Sequence, residues 1–207
     1  MKKTFLLLII ICLSAAVCLW FFVKRDKVDD NEAGDDKAIA IVVTGEVDEV
    51  LVKRVQAFIS DNCWCPVRIR SFRRKVEDTI EAEASALSEL MRKNDVCLLA
   101  MVNIPEDVKF REAIFRSFNV GLLNIEALKP VRQNEVKNIE QYARRVEKEA
   151  MRVIGQLLGL PNCPMPRCAL SIARTEQDMD AKGRNFCPPC HGKVIGILKS
   201  KGVKLKF

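Results

Sequence analysis

The hydrophobic positions change period several times along the chain, and each change marks an element. Ala38 to Thr44 is an almost continuous apolar run rich in Ile and Val, the pattern of a strand buried on both faces. Asp48 to Ser60 places Val50, Leu51, Val55, Phe58 and Ile59 at helical spacing. Pro66 to Phe72 alternates Val67, Ile69 and Ser71 with Arg68 and Arg70, a half-buried strand. A second helix is predicted over Val76 to Lys93, burying Ile80, Ala84, Leu87 and Leu90, followed by a buried strand over Asp95 to Ile104. Phe115 to Ala127 holds one or two further strands, with Gly121 at the expected break.

The longest helical pattern runs from Asn134, a suitable N-cap, to Leu158. Its apolar face comprises Val136, Ile139, Ala143, Val146, Ala150, Ile154, Leu157 and Leu158. Its wet face comprises Glu135, Lys137, Glu140, Arg144, Arg145 and Lys148. Gly159 and Pro161 stop it. The order β-α-β-α-β-β-α predicts an α/β fold, a mixed sheet backed by helices, ending in a cysteine-rich loop module.

Ahead of this domain, residues 1–27 read as a signal anchor or signal peptide. The uncharged run Thr4 to Val23 is flanked by Lys2 and Lys3 and by Lys24, Arg25 and Lys27. As a helix this run spans about 30 Å, enough for the hydrocarbon core of a bilayer. Ser14-Ala15-Ala16 offers a signal-peptidase site, giving a secreted or periplasmic product, but the apolar run continues past it to Phe22. The expectation is therefore a membrane anchor at residues 4–23 with the domain outside the cytoplasm. Residues 28–37 are acidic and polar, a linker.

Composition sharpens two points. The net charge of +7 is concentrated at one end: Lys182 to Phe207 carries seven basic residues and no acidic one. Residues 193–207 thus read as a basic C-terminal tail, which could meet an anionic surface; nucleic acid is a weaker candidate partner. The single histidine, His191, excludes any site that needs several imidazoles.

Four of the nine cysteines form two close pairs, Cys163 with Cys168 and Cys187 with Cys190. Paired thiols separated by a loop suit a closed tetrahedral zinc site, and two disulfides are the alternative in an oxidising compartment. Cys187-Pro-Pro-Cys190-His191 also matches the CxxCH attachment signature of c-type haem. Cys63, Cys65 and Cys97 suit buried structural thiols, a second metal or a disulfide, with no pairing assignable.

The segment Arg152 to Cys163, RVIGQLLGLPNC, with Cys168, Cys187 and Cys190 after it, resembles the active-site region of the archaemetzincins, a metzincin-type family of zinc metallopeptidases whose motif is HExxHxxGxxHC followed by CxM and CxxC. Gly159 and Cys163 anchor the match. Residues 144–150 resemble the family's approach to its zinc helix, and Leu122 to Ile125 the strand lining its cleft. The resemblance covers residues 38–192. It implies a metzincin-like fold, and it implies one structural zinc held by Cys163, Cys168, Cys187 and Cys190.

The same comparison sets Arg152, Gln156 and Asn162 where the family has its three zinc histidines. Val153 stands for the general-base glutamate and Leu170 for the methionine of the turn below the metal. Arginine cannot release its proton to coordinate, valine is no base, and amides are poor zinc ligands. The expectation is a pseudoenzyme without catalytic zinc, whose cleft, cationic through Arg152 with Gln156 and Asn162, binds a peptide, a protein or an anion. The alternative is an active zinc peptidase with relocated ligands, for which Glu147, Glu149 and Asp178 are the acidic candidates.

Overall fold

In the computed structural model the chain divides into two units, Met1–Ala33 and Gly34–Phe207. The described residues, 36–72, 76–77, 79–104, 110–130 and 135–206, all lie in the second, with the side chains of 135–138 outside the description. The anchor or signal at residues 1–27, most of the 28–37 linker, the Asn134 cap and the placement of Val136, Glu135 and Lys137 therefore fall outside the described residues. Among the described residues no helix is long and apolar enough to cross a membrane.

Five strands form one mixed sheet: β1 (Ala38–Thr44), β2 (Val67–Phe72), β3 (Asp95–Val102), β4 (Glu112–Phe115) and β5 (Val120–Asn124), in the order β2-β1-β3-β5-β4. β1 pairs parallel with β2 and β3, β3 parallel with β5, and only β4 runs antiparallel, at the edge. Strand side chains alternate between faces. Ile39, Ile41 and Val43 accordingly join Leu99 and Met101 under α1 (Glu49–Cys63) and α3 (Glu135–Leu157). Ala40 and Val42 join Leu98, Ala100 and Leu122 on the opposite face, against Ala84 and Leu87 of α2 (Ile80–Ser88). Helices on both faces explain why β1, β3 and β5 are apolar without interruption.

Local chemistry sets the helix ends. Asp48 Oδ1 accepts from the Val50 amide at 2.9 Å to open α1, and Thr79 Oγ1 accepts from the Ala82 amide at 3.1 Å to open α2. α3 stops at Gly159, whose φ of +90° is the left-handed conformation a glycine supplies without strain. α4 (Glu176–Ala181) opens on a capping box between Thr175 and Asp178, and α5 (Pro188–Ser200) opens at Cys187 with Pro at its start.

Several expectations change. α2 is shorter than Val76 to Lys93, because Leu90 and Met91 turn back onto the Leu87 and Ser88 carbonyls. Gly121 lies inside β5; the break is the turn at residues 116–119, where Asn119 takes φ 55°. A Cβ on Gly121 would stand 2.2 Å from Val153 Cγ1, so the glycine is there to admit α3. On α3 itself, Arg145 and Lys148 are buried, not wet, because α4 and the segment around it fold over that side, while Ile139 is 69% exposed. The supposed tail after residue 192 begins inside α5, which buries Val194, Ile195 and Leu198. The Lys206 amide bonds the Trp64 carbonyl at 2.7 Å, returning the last described residues to the domain.

Candidate metal centre and the Arg152 cluster

Four sulphurs meet where the loop after α3 returns to the start of α5. Cys163 and Cys168 come from the loop, Cys187 caps α5, and Cys190 lies in its first turn. All four Sγ atoms lie within 4.8 Å of one another, and Cys163 Sγ is 3.7 Å from Cys187 Sγ. A tetrahedron of thiolates at the usual Zn–S distance of about 2.3 Å has sulphur–sulphur edges of about 3.8 Å, so this donor set fits zinc. The backbone prepares it: the Cys187 amide donates to Cys168 Sγ at 3.4 Å, and the Cys163 amide to the Leu170 carbonyl at 3.1 Å.

The thiols perturb one another. Burial raises Cys168, and burial together with the neighbouring thiols raises Cys190. Burial also opposes ionisation of Cys187, but hydrogen bonds from the Cys190 amide and the adjacent thiols bring it below the ordinary value. Four thiolates this close repel strongly, and a dication at their centre offsets that repulsion. His191, next along the helix, donates from Nε2 to the Asn62 carbonyl at 3.0 Å and packs edge-on to Trp64 at 4.7 Å. The thiols of the CxxCH sequence thus point into the four-sulphur cluster and its histidine is engaged with α1.

Arg152, Gln156 and Asn162 converge. Arg152 and Gln156 sit one turn apart on α3. Asn162 Oδ1 accepts from Arg152 Nη2 at 3.0 Å and from Gln156 Nε2 at 2.7 Å. Arg152 also ion-pairs with Glu112 of the edge strand, their side chains 12% and 17% exposed. Two polar atoms there, Arg152 Nε and Glu112 Oε2, are buried and have no hydrogen-bond partner among the described residues. Burial, and then the charge of nearby Arg111, lower the Arg152 pKa from its ordinary value.

The two remaining positions are packing positions. Val153 is fully buried against Gly121, and Leu170 is fully buried beneath Gly155, where a Cβ would come within 2.8 Å of Leu170 Cδ2. Glu147, Glu149 and Asp178 are engaged as well. Glu147 accepts from Arg54 at 2.7 Å and Arg184 at 2.8 Å, Glu149 pairs with buried Lys182, and Asp178 closes the α4 capping box. Among the described residues the four cysteines are the cluster of three or more metal-ligating side chains that the fold assembles.

Cys63, Cys65 and Cys97 are fully buried. The neighbouring Cys65 and burial hold Cys63 well above the ordinary thiol value, and burial pushes Cys97 up to about 12. These are inert core thiols by chemistry. Sequence reasoning missed Glu112, the partner of Arg152. Forty positions separate them, and no local pattern joins a short edge strand to a distant helix.

An α/β domain with a mixed sheet, a long helix ending in glycine and a four-cysteine loop beyond it defines the class of fold. The chain is similar to the archaemetzincins: residues 104–195 match the model of peptidase family M54. An archaemetzincin of Thermococcus kodakarensis is 31% identical over 79 residues, 38% of this chain and 42% of that one. One from Aeropyrum pernix is 34% identical over 61 residues, 30% and 33% of the two chains. The alignments thus span about two fifths or less of these relatives' length. In fold the chain resembles the archaemetzincin of Methanopyrus kandleri, with TM-score 0.62, 20% identity, and coverage of 82% of this chain and 99% of that one. A zinc-dependent peptidase of Methanocorpusculum labreanum superposes with TM-score 0.61 at 18% identity, covering 75% and 99%.

Proposed function

We propose that this protein is a non-catalytic archaemetzincin-like domain, held to a membrane by residues 4–23, stabilised by one structural zinc on Cys163, Cys168, Cys187 and Cys190, and using the Arg152 cleft to bind a peptide carboxylate. The observation that carries the loss of catalysis is the shared acceptor, Asn162 Oδ1. The three positions that a catalytic zinc would require as ligands bond to one another, and their donors and acceptor include no group that binds zinc well. A hydrolytic site also needs a base to take the proton of the metal-bound water. Val153 is fully buried against the sheet, which supports the absence of such a base.

Carboxylate binding is supported by the charge around the cleft. Arg152 Nε lacks a partner among the described residues, and Arg111 adds a second cation that burdens Arg152 electrostatically. With Nη1 on Glu112 and Nη2 on Asn162, the Nε–H is the Arg152 donor left for a charge-assisted bond to a carboxylate oxygen. Turnover of casein or peptides by the purified full chain, with zinc and with chelator, tests the first part; chelator-sensitive cleavage would revive an active peptidase with relocated ligands. Peptide titration of the wild type and Arg152→Lys tests the second part. Binding weakened about tenfold or more in the variant supports the cleft, and equal binding, or none to either, removes it.

A further inference from the structure

A cationic concavity lies on α3, on the N-terminal side of Arg152, and shares no residue with the Arg152, Gln156 and Asn162 cluster. It is a cavity of about 470 Å³ whose wall includes Arg144, Lys148, Lys182 and Arg184 as cations and Glu140 and Asp180 as carboxylates. The carboxylates are already saturated. Glu140 accepts from Arg54 at 2.6 and 2.9 Å and from Arg144 Nε at 2.8 Å. Asp180 accepts two bonds from Arg145, each at 2.7 Å, and one from Gln141 at 2.6 Å.

Of the cations, Lys182 is paired with Glu149 and Arg184 with Glu147, whereas Arg144 and Lys148 are not saturated. Arg144 uses Nε on Glu140, and its two terminal nitrogens have no partner among the described residues. Lys148 is 5% exposed, yet its ammonium meets two neutral carbonyls, Met179 at 2.9 Å and Asp180 at 2.7 Å, and no carboxylate. Those bonds cap the last turn of α4 and account for two of its three protons. A nearly buried ammonium without a counter-ion is costly. Burial lowers the Lys148 pKa, and Lys182, Arg145 and Arg144 lower it further against the opposing charge of Asp180. Arg184 donates from one nitrogen to Glu147 and lies over the Phe58 ring at 5.1 Å. Arg144 and Lys148 therefore offer open, positively charged donors around a space larger than a bare ion.

We propose that this cavity binds a phosphate-class oxyanion, free or as a small phosphomonoester, with Arg144 and Lys148 as its principal donors. A tetrahedral anion with three or more acceptor oxygens satisfies the open Arg144 edge and the third Lys148 proton together. The remaining volume accommodates the carbon skeleton of an ester.

Calorimetric titration of the full-length protein with inorganic phosphate and with glycerol 3-phosphate, against chloride at matched ionic strength, tests the site. Saturable one-to-one binding that falls about tenfold or more in Arg144→Gln, and that Lys53→Gln, at an exposed position of α1 outside the cavity wall, leaves unchanged, is the expected result. Tighter binding of the ester assigns the ester, and equal or tighter binding of phosphate assigns the free ion. The Arg144 side chain is 57% exposed, so this variant folds even if Lys148→Gln does not. No saturable binding, or binding that Arg144→Gln leaves intact, overturns the proposal.

Discussion

Arg152 and Gln156 donate to one oxygen, Oδ1 of Asn162, at 3.0 and 2.7 Å, and Arg152 is also ion-paired with Glu112 of the edge strand. The helix end, the loop after it and the edge strand are thereby tied at one point. Removing one member of a largely buried ion pair leaves the other charge stranded. Arg152→Met is expected to destabilise the domain by about 3 kcal/mol, and Arg152→Met with Glu112→Gln by clearly less. Urea unfolding of the two variants and the wild type measures the difference.

The contact between Gly121 and Val153 makes a packing prediction. A methyl at 121 collides with Val153 Cγ1 at 2.2 Å, and neither side has solvent to move into. Gly121→Ala is expected to cost about 1–3 kcal/mol, the range for overpacking a core. Adding Val153→Ala clears the clash, so the double variant should lose less than the sum of the two single ones by denaturant titration.

Asp180 gives the pH dependence. Its hydrogen bonds from Arg145 hold its pKa below the ordinary value of 3.8 against the effect of burial. The unfolded chain takes up this proton first as pH falls. The stabilisation is therefore fully present above the unfolded value and is lost as pH drops through the lower folded value. Asp180→Asn should be less stable than wild type at neutral pH, with the gap closing on acidification below pH 4. Unfolding midpoints from pH 7 to pH 2 check the convergence; a gap that widens in acid contradicts it.

Zinc removal separates the two cysteine readings. Under the zinc reading, a strong chelator lowers the thermal midpoint of the wild type by several degrees or unfolds it, because binding energy at a structural site is folding energy. Cys187→Ser with Cys190→Ser begins at the lower midpoint and does not respond. Two disulfides would instead give a chelator-resistant protein that a reductant destabilises.

The strands and the long helix were legible because their signals are local. A continuous Ile/Val run marks β1 to the residue, and Gly159 marks the end of α3. The four cysteines were legible through spacing alone, since close pairs need little tertiary information to be recognised. What depended on distant partners was not. Arg145 and Lys148 occupy polar positions of an amphipathic pattern, and only the folding of α4 over them makes them interior. Glu112 carries no sign of Arg152, and Gly121 reads as a breaker until Val153 is placed above it. α5 was hidden because its lysines read as a tail, while Val194, Ile195 and Leu198 face the core.

We propose a peptidase-like scaffold that holds one zinc on its four cysteines and has no catalytic one. Metal analysis of the purified full-length protein tests it most directly. The account predicts one zinc per chain, lost in the Cys187→Ser, Cys190→Ser variant and unchanged in Arg152→Met. Two zinc ions per chain, or one that survives loss of the cysteines, would contradict it.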